Sequence, residues 1–435
     1  MFVLEFKVKA KTQQYQAIDD AIRTAQFIRN KCVRLWMDTK GTGKNDLYRY
    51  SKELAQDFKF ADELNSTARQ ASAERAWSSI SRFYDNCKRK VSGKKGYPQF
   101  KKSRSVEYKQ SGWKLLSPKT VKFTDKKNIG VLKLVGTWDL GYFQESDIKR
   151  VRLIRRADGY YCQFVLSCDV KEDVKPSGKC IGLDVGLASF YTDNNGNKVD
   201  NPQFLRKSEK RLKRLQRRLS KKKKGSKNRQ KARQRLAKAH LKVSRQRQDF
   251  AVKLARCVVH SSDVIAYEDL RVKNLVKNHC LAKSINDAAW YQFREWIEYF
   301  GVKFGKITIA VSPNYTSQNC SNCGETVKKS LSTRTHQCKC GCVLERDENA
   351  AINILKRGLS TVGHTGTFGL DPINAWGENT STFSEAILSF ASNLCEPRIP
   401  VSLERGVSIA YGLKTRQQKR SLCLWEVMTI LIAFH

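Results

Sequence analysis

Five cysteines crowd into a stretch of 23 residues. They are Cys320, Cys323, Cys338, Cys340 and Cys342. A structural zinc ion needs four thiolate or imidazole ligands, which two tight turns usually supply. Gly324 and Gly341 each follow a cysteine where the backbone of such a turn bends sharply, and this favours Cys340 over Cys342 as the fourth ligand. We therefore predict one structural Zn²⁺ on the first four cysteines, with Cys342 as a substitute. The alternative is a cluster of reduced thiols without metal.

Three acids are candidates for metal-assisted hydrolysis. Asp184 and Glu268 stand on short apolar stretches that read as buried strands, and Asp347 opens an amphipathic helical stretch. A buried carboxylate costs free energy unless it binds a cation or is hydrogen-bonded. If the strands are neighbours and the helix crosses their ends, the three carboxylates converge and call for divalent cations. Taken singly, Asp347 could be only a helix N-terminal charge, and Glu268 could pair with a lysine.

The positive charge of the chain is large and concentrated. The 435 residues contain 82 Lys and Arg against 41 Asp and Glu, and 21 of these cations fall within residues 206–247 beside a single acid. Recurring leucines predict helices with a buried stripe and a cationic outer face, which would contact a nucleic-acid backbone. A solvated helix face or a disordered arm is the alternative. The candidate contacts are Arg214, Arg217, Arg218, Lys221, Lys222, Arg229 and Arg233.

A second basic segment, residues 93–102, mixes cations with aromatic rings. Such a loop can pair with phosphates and stack on bases. Its aromatic side chains could equally pin the loop to the protein core. The candidate contacts are Lys94, Lys95, Tyr97, Phe100 and Lys101.

The periodicity of the chain predicts an α+β protein with several domains. Period-two alternation indicates a first strand, and helical spacing indicates a helical unit. Short strands with a hairpin signal at Asp158-Gly159 indicate a small antiparallel barrel or sandwich; we predict a barrel that the first strand closes. Strands alternating with helices then indicate an α/β domain. The predicted segments are 1–11 (first barrel strand), 12–105 (helical), 106–178 (barrel), 179–313 (α/β, with basic helices at 206–247), 314–343 (zinc ribbon), 344–360 (final helix) and 361–435 (poorly ordered tail).

The sequence lacks the signals of membrane or secreted proteins. No apolar run approaches the ~18 residues of a membrane span. The N-terminus has a carboxylate within its short apolar stretch and no basic residues before it, so it does not read as a secretory signal. We expect a cytoplasmic protein.

Several of these segments resemble one family in order and spacing. Ile181–Gly186, Tyr267–Leu270 and Arg346–Leu355 stand in the order found in the TnpB proteins, also called OrfB-family transposases, which are related to type V CRISPR effectors. The cysteine cluster lies just ahead of the last acid, as it does there. Phe27–Lys31 and Gly96–Phe100 resemble the N-terminal half of the family. The resemblance covers residues 1–360.

The resemblance implies a RuvC-like nuclease of RNase H fold with an inserted zinc ribbon, preceded by a wedge-type barrel that a helical recognition unit interrupts. It implies a guide RNA from the transposon end, double-stranded target DNA with a short recognised motif, and a protein monomeric on its RNA and associated with a prokaryotic nucleoid. By position, Asp184, Glu268 and Asp347 match the catalytic acids of the family, which would bind two Mg²⁺ for two-metal-ion hydrolysis.

The sequence departs from the family at two places, and two other functions remain as alternatives. Glu345 stands where the family often has Asp, and the residues after Ser360 match no family feature. A DNA-binding accessory or regulator of transposition would use the zinc and the basic helices without catalysis. A transposase that transfers strands would use the same carboxylates, and the sequence does not separate it from a hydrolase.

Overall fold

The computed structural model describes residues 2–167, 171–172, 174–330 and 333–365. The chain divides into two compact units, whose described parts are residues 2–167 and residues 171–365. Of the predicted tail, residues 366–435 lie outside the described part of the chain. None of the helices in the described ranges has the length and hydropathy of a membrane span.

The first unit begins with a strand, β1 (Phe2–Lys9), and continues into a group of helices. These are α1 (Thr12–Asp38), α2 (Lys44–Asp57), α3 (Lys59–Asp62) and α4 (Ser66–Lys88). The apolar positions of α1 recur every three or four residues, and Ile18, Ile22 and Ile28 are buried as a result. The Asn65 side chain caps α4 by accepting a hydrogen bond from the Thr67 N–H at 2.8 Å.

Seven antiparallel strands form the sheet of the first unit. After β1 they are β2 (Ser105–Tyr108), β3 (Trp113–Ser117), β4 (Thr120–Phe123), β5 (Val131–Val135), β6 (Ile148–Arg156) and β7 (Gly159–Leu166). Their order is β2-β6-β7-β1-β5-β4-β3, so the first strand of the chain is central. The hairpin expected at Asp158-Gly159 joins β6 to β7, where Arg156 pairs with Gly159.

The seven strands do not close into the barrel that we predicted from the sequence. β2 and β3 are the two edges of the sheet and do not pair with each other. If the sheet were flat, seven strands at a spacing of about 4.8 Å would separate these edges by about 29 Å. The connection from Tyr108 to Trp113 reaches at most about 18 Å, so the sheet curls strongly. A 3₁₀ turn, Gln110–Gly112, connects the two edge strands.

A mixed five-stranded sheet forms the centre of the second unit. Its strands are β8 (Cys180–Val185), β9 (Ser189–Asp193), β10 (Lys198–Asp200), β11 (Val264–Glu268) and β12 (Ile307–Val311). Their order is β10-β9-β8-β11-β12, in which β8, β11 and β12 are parallel and the other pairings are antiparallel. Helices cover the parallel strands, and Val264, Ile265 and Ala266 are fully buried.

The helices of the second unit surround this sheet, and a short hairpin follows β12. The helices are α5 (Phe204–Ser220), α6 (Lys227–Ser261), α7 (Val272–Leu275), α8 (His279–Ala288), α9 (Trp290–Phe304) and α10 (Arg346–Thr365). The hairpin consists of β13 (Thr335–Gln337) and β14 (Val343–Glu345) and directly precedes α10. The final helix therefore extends five residues beyond the predicted end at 360. Helix α10 packs on β8, β11 and β12, while α9 packs on α6 and β12.

Candidate functional site

Two of the three candidate acids occupy adjacent positions at one edge of the second sheet. Strands β8 and β11 are parallel and hydrogen-bonded, with Leu183 paired to Tyr267. The next residues of the two strands are Asp184 and Glu268, at the carboxyl ends where ligands of open α/β sheets bind. Both are half-buried. The 83 residues between them in sequence are thus folded away to bring two carboxylates to neighbouring strands.

Helix α10 brings the third acid to this edge. Asp347 lies in its first turn, and the helix crosses the sheet face that carries Gly182 and Ala266. A Cβ atom at Gly182 would stand 2.2 Å from the carbonyl oxygen of Ala351, so only glycine allows this close crossing. Because Gly182 precedes Asp184 by two residues, the same face of β8 that packs on α10 presents the acid.

Burial and mutual repulsion shape the electrostatics of the three acids. Burial, and then the negative charges of Glu268 and Asp347, raise the pKa of Asp184 well above its usual range, while Arg346 acts in the opposite direction. Burial also raises the pKa of Glu268. The negative charge of Asp347 lies against a positive one, since the Arg346 guanidinium donates two hydrogen bonds of 3.0 Å to its Oδ1. Asp184 is therefore the carboxylate for which a bound cation would relieve the most unfavourable charge.

Two asparagine side chains of α10 hold the loop that faces Glu268. The Thr316 hydroxyl donates to Glu268 Oε1 at 2.6 Å. The Asn353 side-chain amide donates to the Thr316 carbonyl at 2.9 Å and to the Asn319 carbonyl at 2.8 Å. Asn349 donates to the same Asn319 carbonyl at 2.8 Å. The spacing of four residues puts both asparagines on one face of α10, so the helix that carries one acid also positions the hydrogen-bond donor to another.

The four cysteines that we predicted as zinc ligands lie together. Their sulfur atoms all lie within 4.8 Å of one another, and no other group of three or more potential ligands in the described ranges is this tight. Cys320 and Cys340 sulfurs are 3.7 Å apart, and those of Cys323 and Cys338 are 3.6 Å apart. Cys342 is not in the group; its carbonyl accepts a backbone hydrogen bond from Cys338. A metal ion that prefers four thiolate ligands in a tetrahedron, such as Zn²⁺, fits these four cysteines.

The backbone of both cysteine turns has the conformation that the sequence indicated. Gly324 and Gly341 have φ of 81° and 86°, in the left-handed region that favours glycine. Burial opposes ionisation of the Cys320 thiol, but the backbone N–H groups of Cys323 and Asn322, together with the His336 and Cys340 side chains, lower its pKa to about 5. The Glu325 N–H favours ionisation of Cys323, but the Cys338 and Cys340 side chains raise the pKa of Cys323 to about 12. The turn therefore stabilises a thiolate at Cys320 and not at Cys323.

The basic loop of the first unit is pinned to helices. Asn30 accepts from the Lys101 N–H at 3.1 Å and donates to its carbonyl, while Arg29 donates to the Gln99 carbonyl at 3.0 Å. The two N-terminal segments that resemble the TnpB family therefore contact each other. Tyr97 packs on the rings of Trp36 and Phe83. Tyr97 and Phe100 nevertheless remain 55% and 52% exposed, so the loop presents both rings to solvent.

The predicted basic helices form a hairpin with a leucine core. Leu212, Leu236, Ala239 and Val243 are buried together, and Leu215 and Leu219 pack against them. Among the candidate contacts, six are exposed: Arg214, Arg217, Arg218, Lys221, Lys222 and Arg233. Arg229 differs, because its guanidinium donates to the carbonyls of Leu219 at 3.1 Å and Lys222 at 2.7 Å and so closes the end of α5.

Sequence reasoning missed Thr316, Asn349, Asn353 and the whole of α9. A signal for the asparagines was present, since two amides four residues apart on an otherwise amphipathic helix indicate a polar contact on that face. Thr316 has no such signal, because its partner Glu268 is 48 residues away. Among the described residues Glu268 forms no salt bridge, so its suggested pairing with a lysine is not found.

Comparisons with known proteins match both halves of this site. A family model described as probable transposase (OrfB_IS605) matches residues 163–279, which include Asp184 and Glu268. A model of the Cas12f1-like TNB domain matches residues 290–354, which include the cysteines and Asp347. A relative from Streptomyces pristinaespiralis, named as an RNA-guided DNA endonuclease, is 32% identical over 72% of this chain and 75% of its own. The chain therefore belongs to the TnpB (OrfB) family.

Two further relatives show how far the likeness extends. InsQ of Escherichia coli, also named as an RNA-guided DNA endonuclease, is 32% identical over 48% of this chain and 57% of its own. The solved structure of the mini-RNA-guided endonuclease CRISPR-Cas_phi3 matches 82% of this chain and 92% of its own with a TM-score of 0.50 and 9% identity. At this identity the match concerns the fold alone.

Proposed function

We propose that this protein is an RNA-guided DNA endonuclease that cleaves phosphodiester bonds with Asp184, Glu268 and Asp347. The observation that carries the proposal is the placement of two carboxylates on adjacent parallel strands, with a third at the start of the helix that crosses them. Membership of the TnpB family and relatives named as RNA-guided DNA endonucleases support it.

The donor set suits divalent magnesium. Three carboxylates offer only oxygen ligands, and the raised pKa of Asp184 marks negative charge that the protein itself does not neutralise. Two Mg²⁺ held by these acids would supply activation of the attacking water and stabilisation of the leaving oxygen. Thr316 fixes Glu268 by donating a hydrogen bond to Oε1, which leaves Oε2 for a cation. Arg346 holds Oδ1 of Asp347 in the same way.

The remaining predicted sites have binding and structural roles in this proposal. Zn²⁺ on Cys320, Cys323, Cys338 and Cys340 stabilises the ribbon whose first loop carries Thr316. The exposed cations of the α5–α6 hairpin contact phosphates, and the loop at 93–102 offers Tyr97 and Phe100 for stacking. Pairing between a guide RNA and the target strand would supply sequence specificity, while the protein binds backbones and a short duplex motif.

The test is cleavage by a complex purified with its own RNA. The sequence of that RNA identifies the guide and hence the target duplex. The duplex is then incubated with the complex and Mg²⁺. Asp184→Ala should lower cleavage at least ~10³-fold while the bound RNA and its amount stay unchanged, because one carboxylate of a metal site is lost. Asp200→Ala, an exposed acid on β10 of the same sheet, is the matched control and should cut normally.

Three results would contradict the proposal. If Asp184→Ala cleaved DNA as fast as the wild type, Asp184 would not be needed for catalysis. Heterogeneous RNA, with binding but no cutting, would favour the transposition accessory. Joined rather than hydrolysed products, in the presence of a free DNA end, would favour a transposase.

A further inference from the structure

Two carboxylates of the first unit are surrounded by an excess of cations. Glu107 is buried on β2, and Glu74 lies half-buried on α4. Five cations contact these acids or the ring of Tyr48 next to them: Lys44, Arg75, Lys109, Arg150 and Arg152. Five positive side chains against two negative ones leave a net formal charge of +3 in this cluster.

Both acids hold one end of the Arg150 guanidinium. Its Nη1 donates to Glu107 Oε1 at 2.6 Å and lies 3.3 Å from Glu74 Oε2. Arg75 and Arg152 also donate to Glu107, at 3.3 Å and 2.7 Å. Burial opposes ionisation of Glu107, but Arg75 and Arg152 outweigh it and lower its pKa to about 2. The charged carboxylate is therefore a fixed anchor for Arg150.

The other edge of the same guanidinium has no protein partner. Nε and Nη2 of Arg150 donate to none of the described residues, and neither is one of the buried polar atoms that lack a hydrogen bond. The side chain is 42% exposed, so these two donors are open to solvent. Nε–H and Nη2–H are parallel and form the fork with which arginine binds two oxygens of one anion.

Two lysines extend the positive surface beyond Arg150. Lys109 Nζ donates to Glu74 Oε1 at 2.6 Å, and the Tyr48 hydroxyl donates to the same oxygen at 2.5 Å. The Nζ atoms of Lys109 and Lys44 lie 5.8 Å and 5.6 Å from the centre of the Tyr48 ring. Lys44 is exposed and forms no hydrogen bond or ion pair within the described ranges, so the fold does not use its charge.

The two acids do not neutralise the cations around them. Burial lowers the pKa of Arg75 although Glu107 acts in the opposite direction, and the positive charges of Arg152 and Arg150 add to the decrease. An anion bound at the open edge of Arg150 would relieve this repulsion. The cluster thus offers an anion both a favourable charge and a pair of positioned donors.

We propose that this cluster binds a phosphodiester of a nucleic-acid backbone, with the open edge of Arg150 on two phosphate oxygens and Lys109 and Lys44 beside it. A phosphodiester carries one negative charge, and its two unesterified oxygens match the fork of Arg150. The lysines continue the positive surface past a single anion, which suits a backbone with repeated phosphates. The inference rests on the proposed function, since an RNA-guided nuclease meets two such backbones, those of its guide RNA and of its DNA.

The test measures binding rather than cutting, in two arms. The RNA arm measures the affinity of the chain for its co-purifying RNA, after that RNA has been removed at high salt. The duplex arm measures the affinity of the RNA complex for target DNA in the Asp184→Ala background. Arg150→Lys keeps the charge and a donor to the acids but lacks the fork. It should weaken binding roughly 10-fold in the arm whose backbone is bound, with Tm unchanged.

A second variant removes a charge that contributes nothing to the fold. Lys44→Gln should weaken binding a few-fold in the same arm, lower the slope of log K against log salt by about one unit, and leave Tm unchanged. Arg155→Gln is the matched control, because Arg155 lies on the same strand as Arg150, is 59% exposed and pairs with Asp19 at 2.7 Å outside the cluster. It should leave the slope unchanged in both arms.

The two arms identify the source of the phosphate. A loss in the RNA arm assigns it to the guide, and a loss in the duplex arm alone assigns it to the DNA. Unchanged affinity of Arg150→Lys in both arms, or an equal loss in Arg155→Gln, would overturn the inference and leave the cluster as a structural ion-pair network. A complex that binds as expected but never cuts would contradict the proposed nuclease and still support this inference.

Discussion

The cysteine cluster and the carboxylate site are built in opposite ways. The four clustered cysteines, the proposed zinc ligands, fall within 21 residues and come from two turns, each completed by a glycine in the left-handed conformation. The three acids span 164 residues and meet only after a parallel sheet has formed and a helix has crossed it at a glycine. A local cluster can be recognised from spacing alone, whereas a site assembled over long distances depends on fold-level contacts.

Helix α10 connects the two clusters. Its first turn carries Asp347, and its asparagines hold Asn319 and the carbonyl of Thr316. Asn349 also accepts a hydrogen bond from the Ser321 N–H, between two zinc ligands, at 2.9 Å. The cysteine ribbon is therefore attached to the helix that carries one of the three proposed catalytic acids. We therefore expect substitutions of the cysteines to alter the positions of the three acids and so the rate of cleavage.

Among changes that test the connection between the two clusters, the largest effect should come from removing one proposed zinc ligand. Cys340→Ser should reduce bound zinc from about one ion per chain to near zero, since structural sites of this kind depend on all four ligands. Cleavage should fall by ~100-fold or more because the loop that carries Thr316 loses its support. Metal analysis of the purified chain and single-turnover cleavage measure the two effects.

Cys342→Ser is the matched control for that experiment. Cys342 lies two residues from Cys340 but outside the sulfur cluster. It should keep both zinc and activity. Loss of zinc in Cys342→Ser with retention in Cys340→Ser would reverse the assignment of the fourth ligand.

The next effect concerns the contact between the two regions. Thr316→Val removes the 2.6 Å hydrogen bond to Glu268 at nearly constant volume. We expect roughly a 10- to 100-fold loss of cleavage and a higher Mg²⁺ concentration for half-maximal rate, as for other groups that orient a metal ligand. Thr316→Ser keeps the hydroxyl and should recover most of the activity. An unchanged Mg²⁺ requirement in Thr316→Val would show that the two clusters work independently.

Much of this organisation was predictable, and the exceptions have physical causes. The cysteine cluster and the α5–α6 hairpin follow from local spacing, and β1 is a strand, as its alternating pattern predicted. Barrel closure was predicted wrongly, because alternation identifies strands but does not report which edge strands pair with each other. Thr316 depends on its contact with Glu268, 48 residues away, which no local pattern encodes.

A smaller effect should appear in the stability of the protein without added Mg²⁺. The folded state raises the pKa of Asp184, so it holds a proton more strongly than the unfolded chain does. Stability should therefore fall as pH rises from the ordinary Asp pKa of about 3.9. Asp184→Asn removes this penalty and should raise Tm at pH 7.5 by about 2–4 °C, which corresponds to roughly 1 kcal/mol for a unit of this size.

Thermal unfolding at several pH values checks this prediction. The difference in Tm between wild type and Asp184→Asn should vanish near pH 4 and grow as the pH rises. Added Mg²⁺ should stabilise the wild type more than the variant. Chelators are avoided because they would also remove zinc. A lower Tm in Asp184→Asn at pH 7.5 would mean that the acids are not crowded in the free protein.

The smallest effect should come from the basic hairpin, where function is spread over many side chains rather than concentrated in a cluster. Arg217 is exposed, and Arg217→Gln should weaken nucleic-acid binding only a few-fold and lower the slope of log K against log salt by about one unit. Arg229→Gln should instead lower Tm, because Arg229 donates to the carbonyls of Leu219 and Lys222. If Arg217→Gln alone abolished cleavage, the hairpin would be a third concentrated site, and the contrast between clustered and dispersed function would not hold.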